Sequence, residues 1–263
     1  MKKLNRIWLI PTEVSKMVFI SKSSLNCFIQ CPKKYYFLHI EKIPTEQTSA
    51  MERGIDVHQF CYDFYDNVKI ENGNLKIDFD WISGSFLSVT EISKPYIGNF
   101  LDFEKKRWET CKDRKNPEKF FFPIFREERF ENPKLEILAI VDRIDQKFNQ
   151  NYTIVEYKTE KYDMKAWKLT EFRRELWFEK LVAEGTEQFK EKCPNGTIED
   201  FVIYFPHSND VLIEKFNYRS LSALQRNIDL MREAIRKNHF PCNVQYHCRW
   251  CPASPLCEME MER

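Results

Sequence analysis

The stretch Thr153-Ile154-Val155-Glu156-Tyr157-Lys158-Thr159 decides how this chain is read. It is dominated by β-branched and aromatic residues, and successive side chains on a strand point to opposite faces. Glu156 and Lys158 therefore share one face, and Val155 and Tyr157 take the other. A carboxylate beside an ammonium at the end of a buried strand suits phosphodiester hydrolysis. The carboxylate would hold a divalent cation, and the lysine would orient or deprotonate the attacking water and offset charge at the phosphate. An exposed Glu–Lys pair has the same spacing, so the two residues become specific only in company.

Some of that company lies just upstream, where Leu138-Ala139-Ile140-Val141-Asp142 is an apolar run ending in a carboxylate. The connection to the 153–159 strand is short, so the two strands are expected to pair as a hairpin and bring Asp142 near Glu156. Further upstream, Arg53-Gly54-Ile55-Asp56-Val57-His58 places a histidine four residues after a glycine. It sits on a helix expected over 50–68, with His58 and Cys61 on one face. A histidine with two carboxylates makes a mixed nitrogen and oxygen site that Mn2+ should fill as well as Mg2+ or better. A single helical histidine is equally a packed or surface residue.

The tail reads Cys242-Asn-Val-Gln-Tyr-His247-Cys248-Arg-Trp-Cys251-Pro-Ala-Ser-Pro-Leu-Cys257. The C-x2-C pair lets two thiolates converge on one centre, and Cys257 adds a third. Cys31, before a proline at a helix break, is the fourth candidate. Four thiolates suit a [4Fe-4S] cluster or zinc, and the ligands alone do not separate the two. Cys242 and His247 are spare ligands that keep zinc open. Cys27 is assigned to the core, and Cys61, Cys111 and Cys193 have no neighbour at metal spacing.

Outward from these sites the chain reads as a helical front, an α/β middle and a helical, Cys-rich end. Residues 21–39 carry serine caps and a helix broken at Pro32, with a second short helix after it. Residues 69–94 show only the turn signal Asn72-Gly73, and a helix is expected from Pro95 to Arg114. Strands are expected at Phe121–Phe130, Leu135–Asp142, Tyr152–Tyr157, Phe201–Phe205 and Val211–Phe216. A long helix is expected over 165–190 and a capped one from Ser220 to Lys237. The sum is a mixed α/β core.

Composition narrows the function classes. The chain has 263 residues, 43% of them hydrophobic, so it can bury a core and is not a disordered polymer. Neither GxxxxGK[ST] nor GxGxxG occurs, which removes the common nucleotide-binding loops. The opening MKKLNRIWLIPTEVSK has only Ile7–Ile10 as an apolar run, short of the roughly 7–15 residues of an export signal or the roughly 20 of a membrane span. A cytoplasmic location and no membrane partner are expected, and the nine cysteines are then unsuited to disulfides. The formal charge is +1, but residues 1–43 hold eight Lys/Arg against two acids and residues 219–249 six against two. A basic face near the cysteine end, with salt-sensitive nucleic-acid binding, is expected.

Five elements occur in order: Ser21-x-Ser23-x-Leu25 with Cys31-Pro32, Gly54-x3-His58, Val141-Asp142, Glu156-x-Lys158, and Cys248-x2-Cys251-x5-Cys257. Together they resemble the PD-(D/E)XK nuclease superfamily and, within it, the RecB-like iron–sulfur exonucleases, which include the CRISPR-associated family. The resemblance spans about 21–257. It implies a restriction-endonuclease-like mixed sheet flanked by helices, as one nuclease domain over 1–263. Within it, 20–68 would form the N-terminal helical part, 120–218 the catalytic core and 219–263 the helix and cluster tail. It implies that His58, Asp142, Glu156 and the Tyr157 carbonyl bind Mn2+ or Mg2+, and that Lys158 is the catalytic lysine, acting with Glu156 and Asp142. It further implies that Cys31, Cys248, Cys251 and Cys257 hold a structural [4Fe-4S] cluster. The family carries Gln and, four on, Tyr on the next helix, whereas here both places are glutamates, Glu175 and Glu179. Arg173 and Arg174 beside them are candidate DNA contacts or a solvated face. The implied activity is a DNA exonuclease acting on single strands or ends, in CRISPR adaptation or DNA repair. The alternative is a non-catalytic iron–sulfur or zinc DNA-binding subunit of a larger complex.

Overall fold

A computed structural model describes residues 19–78, 80–81, 94–162 and 165–261. The apolar run Ile7–Ile10 and residues 1–18 of the first basic segment lie outside the described residues.

The hub of the structure is strand β5 (Ile137–Gln146), in a six-stranded sheet. One edge of β5 is covered by antiparallel β4 (Phe125–Asn132), from Phe125↔Ile144 to Asn132↔Ile137. The other edge is shared. β1 (Ile20–Ser21) runs parallel to it at Ile137 and Leu138, and β6 (Tyr152–Tyr157) runs antiparallel to it over Arg143–Gln146. Beyond the Arg143↔Val155 pair β5 and β6 separate, and the fork opens at Asp142 and Glu156. β7 (Ile198–Phe205) pairs parallel with β6, and β8 (Asp210–Lys215) pairs antiparallel with β7.

Helices cover both faces, which gives the expected mixed α/β class. On one face α6 (Ala166–Glu184) and α8 (Tyr218–Lys237) pack on Val141, Ile154 and Phe201. The buried residues of α8, Leu224, Ile228 and Met231, follow the helical spacing that makes one apolar stripe. On the other face α3 (Ser49–Phe64) and α4 (Lys94–Cys111) pack Phe60, Phe64 and Phe100 against Val155, Tyr157 and Tyr204. Ile154 and Val155 belong to different cores, so β6 is buried on both sides.

α1 (Lys22–Gln30) starts at a Ser21–Ser24 capping box and stops before Pro32, where α2 (Pro32–Tyr35) begins and passes into a π-helical turn, Tyr36–Ile40. The expected 165–190 helix is in fact two, broken at Gly185. Thr186 caps α7 (Glu187–Lys192) through the Phe189 N–H, and a Cβ on Gly185 would lie 1.9 Å from Asn132 Nδ2. Phe121 closes a short helix, α5 (Glu118–Phe121), and pairing in β4 starts only at Phe125. Leu135 lies in the β4–β5 turn, and β5 runs on past Asp142 to Gln146. The α3 helix ends at Phe64, short of 68. The stretch that showed only a turn forms the hairpin β2 (Val68–Glu71) and β3 (Asn74–Ile77), with Asn72 and Gly73 at positive φ. Its strands are four residues each, too short for a period-2 pattern to stand out. Among the described residues no helix is long and apolar enough to cross a membrane.

Candidate active site

The fork gathers acidic groups from three strands. The flanking registers, Arg126↔Arg143 and Glu128↔Val141 on one side and Arg143↔Val155 on the other, place Glu127, Asp142 and Glu156 at facing positions of β4, β5 and β6. The in-and-out alternation of buried residues slips there. Ile137, Ala139, Val141 and Ile144 share one core, while Arg143 reaches Tyr65 and Tyr157 on the other side. In β4, Phe125 and Phe130 share that same first core although they are an odd number of residues apart, and Glu127 between them has φ +44°. A left-handed glutamate inside a strand is strained, and such strain concentrates at functional sites.

His58, from α3, completes the cluster. Its Nδ1 lies 3.1 Å from Glu127 Oε1 and 3.5 Å from Asp142 Oδ1, and the ligand atoms of the three residues lie within 4.8 Å of one another. Burial opposes a charged ring, yet Asp142 and Glu127 outweigh it and hold the His58 proton up to about 11. Two carboxylates around one nitrogen thus demand positive charge. Oxygen and nitrogen ligands at about 2.0–2.2 Å from one ion have this mutual spacing, so the donor set fits a divalent cation. Glu156 Oε2 strengthens the fit, since it is buried and without a hydrogen-bond partner among the described residues.

The other Glu156 oxygen faces lysines. Lys158 Nζ donates to Glu156 Oε1 at 2.8 Å and to Glu175 Oε2 at 2.8 Å, and Lys22 Nζ donates to the same Glu156 Oε1 at 2.9 Å. Burial would raise Glu156, but Lys158 and Lys22 hold its carboxyl well below the usual range. Burial works against the Lys158 charge too, and Glu156 and Glu175 more than restore it, so this lysine stays protonated at neutral pH. Glu179 is 0% exposed and donated to by Lys22, while burial and the neighbouring Glu156 push its carboxyl well above the ordinary range.

Glu175 and Glu179, one helical turn apart on α6, thus both face the fork through the two lysines. Asn26 of α1 donates to Glu175 Oε1 at 2.6 Å and accepts from Arg174 at 2.9 Å. Arg173 turns instead to β8, where it forks onto Glu214 at 2.7 and 2.6 Å. No sequence motif contains Lys22, Asn26 or Glu127 as a site residue. The slip between Phe125 and Phe130 is a signal that marks Glu127. Lys22 and Asn26 lie inside an ordinary capped helix start and carry no local signal.

About 280 Å³ of cavity at the other end is lined by Cys31, Cys248, Cys251 and Cys257, with Cys242 and His247 beside them. Its walls are tied across the chain by Asn243, whose N–H points to Cys31 Sγ at 3.4 Å and whose Nδ2 donates to Gln30 O, while within the tail Gln245 N–H points to Cys248 Sγ at 3.4 Å. Backbone N–H groups aimed at sulfur suit thiolates, but among the described residues the three ligand side chains gathered within 4.8 Å of one another are His58, Glu127 and Asp142 and not these cysteines. Cys27 packs against the first core, Cys193 is inside it, and Cys61 and Cys111 are in the second.

The family model of the PD-(D/E)XK nuclease superfamily matches residues 20–258. No curated protein matches the sequence.

Proposed function

The chain belongs to the PD-(D/E)XK nuclease superfamily, and on that premise we propose that it is a Mn2+- or Mg2+-dependent exonuclease acting on single-stranded DNA or DNA ends. The observation that carries the reading is Lys158 Nζ, 2.8 Å from Glu156 Oε1, beside the His58–Glu127–Asp142 cluster. His58, Asp142, Glu156 and the Tyr157 carbonyl would hold the cation, with Glu127 as an added carboxylate. A bound dication supplies an activated water and offsets charge on the scissile phosphate. Lys158, held as an ammonium between Glu156 and Glu175, steadies that water and the phosphate charge as a donor rather than as a base. Arg174, which donates to Asn26 Oδ1, would contact a backbone phosphate.

In this reading Cys31, Cys248, Cys251 and Cys257 hold a structural [4Fe-4S] cluster that pins the tail to the α1–α2 junction. Zinc is the second reading, favoured by Cys242 Sγ lying 3.3 Å from Cys257 Sγ, near the roughly 3.8 Å expected of two thiolates on one tetrahedral zinc. The setting is CRISPR adaptation or DNA repair. The test uses anaerobic protein and single strands labelled at the 5′ or the 3′ end, beside duplex. Brown protein that shortens single strands from one end supports the reading. Internal nicking, or zinc in colourless protein, overturns the exonuclease or the cluster part respectively.

A further inference from the structure

Two-ion nuclease sites hold their cations about 3.5–4 Å apart, and carboxylates near both must offer an oxygen to each. Of the carboxylates at this fork, neither Asp142 nor Glu156 does so. Asp142 Oδ2 accepts the Tyr157 N–H at 2.8 Å, which leaves Oδ1, on the His58 side, for an ion. Glu156 Oε1 accepts both Lys22 at 2.9 Å and Lys158 at 2.8 Å, which leaves Oε2. Glu156 Oε1 is thus filled by two donors, and Asp142 Oδ2 is committed to the backbone of β6. On the far side of Glu156 Oε1, where a second cation would find Glu156 and Glu179 together, stands the Lys22 ammonium, bound to both.

We propose that Lys22 takes the place of a second metal ion, so that this site binds a single divalent cation. The inference rests on the nuclease reading of the site and adds its stoichiometry. Lys22 is well placed to be permanent. It is the first residue of α1, whose start is fixed by the Ser21–Ser24 capping box and by the pairing of β1 with β5. Among the described residues it is the one cation on Glu179, a fully buried carboxyl. An ammonium with three donors satisfies one oxygen from each glutamate at once, without the further ligands a hydrated dication requires.

The test counts Mn2+ bound per chain by electron paramagnetic resonance on the full protein, with thermal melts confirming that each variant is folded. Wild type should bind one ion, and Asp142→Asn should remove it. Lys22→Met should raise the count to two, Lys22→Arg should keep it at one, and adding Glu179→Gln to Lys22→Met should return it to one. Two ions in wild type, or one in both Lys22→Met and a second neutral variant, Lys22→Gln, overturns the assignment of Lys22. No ion in wild type, or one that survives Asp142→Asn, overturns the metal site and the Lys22 assignment with it.

Discussion

The backbone N–H of Tyr157 donates to Asp142 Oδ2 at 2.8 Å. At that point β6 has left β5, so a carboxylate takes over the bond that a strand partner makes elsewhere in the ladder. One oxygen of Asp142 thus holds the fork open in a defined shape and the other is left for chemistry.

This division of labour separates two variants. Asp142→Ala leaves the Tyr157 N–H buried and unpaired, which costs about 1–3 kcal/mol, or roughly 2–12 °C in melting temperature for a chain of this size. Asp142→Asn keeps an acceptor and should melt closer to wild type. Both should lose Mn2+ binding. Thermal melts with and without Mn2+ check this, and an alanine variant as stable as the asparagine variant contradicts it.

Lys158→Met removes the donor shared by Glu156 and Glu175 and leaves Lys22 on Glu156. Positioned proton donors and acceptors contribute about 10²–10⁴ in rate, so single-turnover cleavage should slow within that range. Mn2+ affinity, which we assign to Asp142, His58 and Glu156, should change little. A loss confined to metal affinity contradicts the role given to Lys158.

Glu179 gives the pH dependence a sign. A carboxyl raised in the folded state adds stability below its unfolded value of about 4.3 and loses it as pH rises toward the folded value. Burial and the Glu156 charge raise Glu179, so wild type carries a penalty at neutral pH that it lacks in acid. Glu179→Gln has no proton to lose. It should melt above wild type at pH 8, and the gap should close by pH 4–5. A gap that is the same at both pH values contradicts this.

Local pattern is enough to predict part of this fold. The apolar runs ending in Asp142 and carrying Glu156 predict the hairpin, and the helix before Pro32 stops where the proline requires it. What stayed hidden is long-range. Glu127 lies in the charged run Arg126-Glu127-Glu128-Arg129, where any acid reads as solvated. Only the register opposite Asp142 and the slip in alternation single it out. Lys22 reads as a helix-start residue until it is seen to donate to Glu156 and Glu179, far along the chain. The break at Gly185 follows from the approach of Asn132, a contact between two elements that no single segment encodes.

Cys248→Ser should uncouple the tail. Without that ligand the protein should lose its colour or its zinc, and proteases should cut between Asn238 and Gln245, where chain without helix or strand links α8 to the cysteine turns. Residues up to Lys237 should stay protected, because α8 remains packed on the first core. Mass spectrometry of the limit digest checks this. Unchanged protection of the tail in the metal-free variant contradicts the pinning role.

We propose that the fork of β5 and β6 hydrolyses DNA through a cation held by Asp142, Glu156 and His58. The decisive measurement is the Mn2+ dependence of single-stranded DNA degradation by wild type and Glu156→Ala. Wild type should degrade DNA with Mn2+ and stop in chelator, and Glu156→Ala should be inactive at any Mn2+ concentration. Equal degradation by the two proteins, or degradation by wild type in chelator, would contradict it.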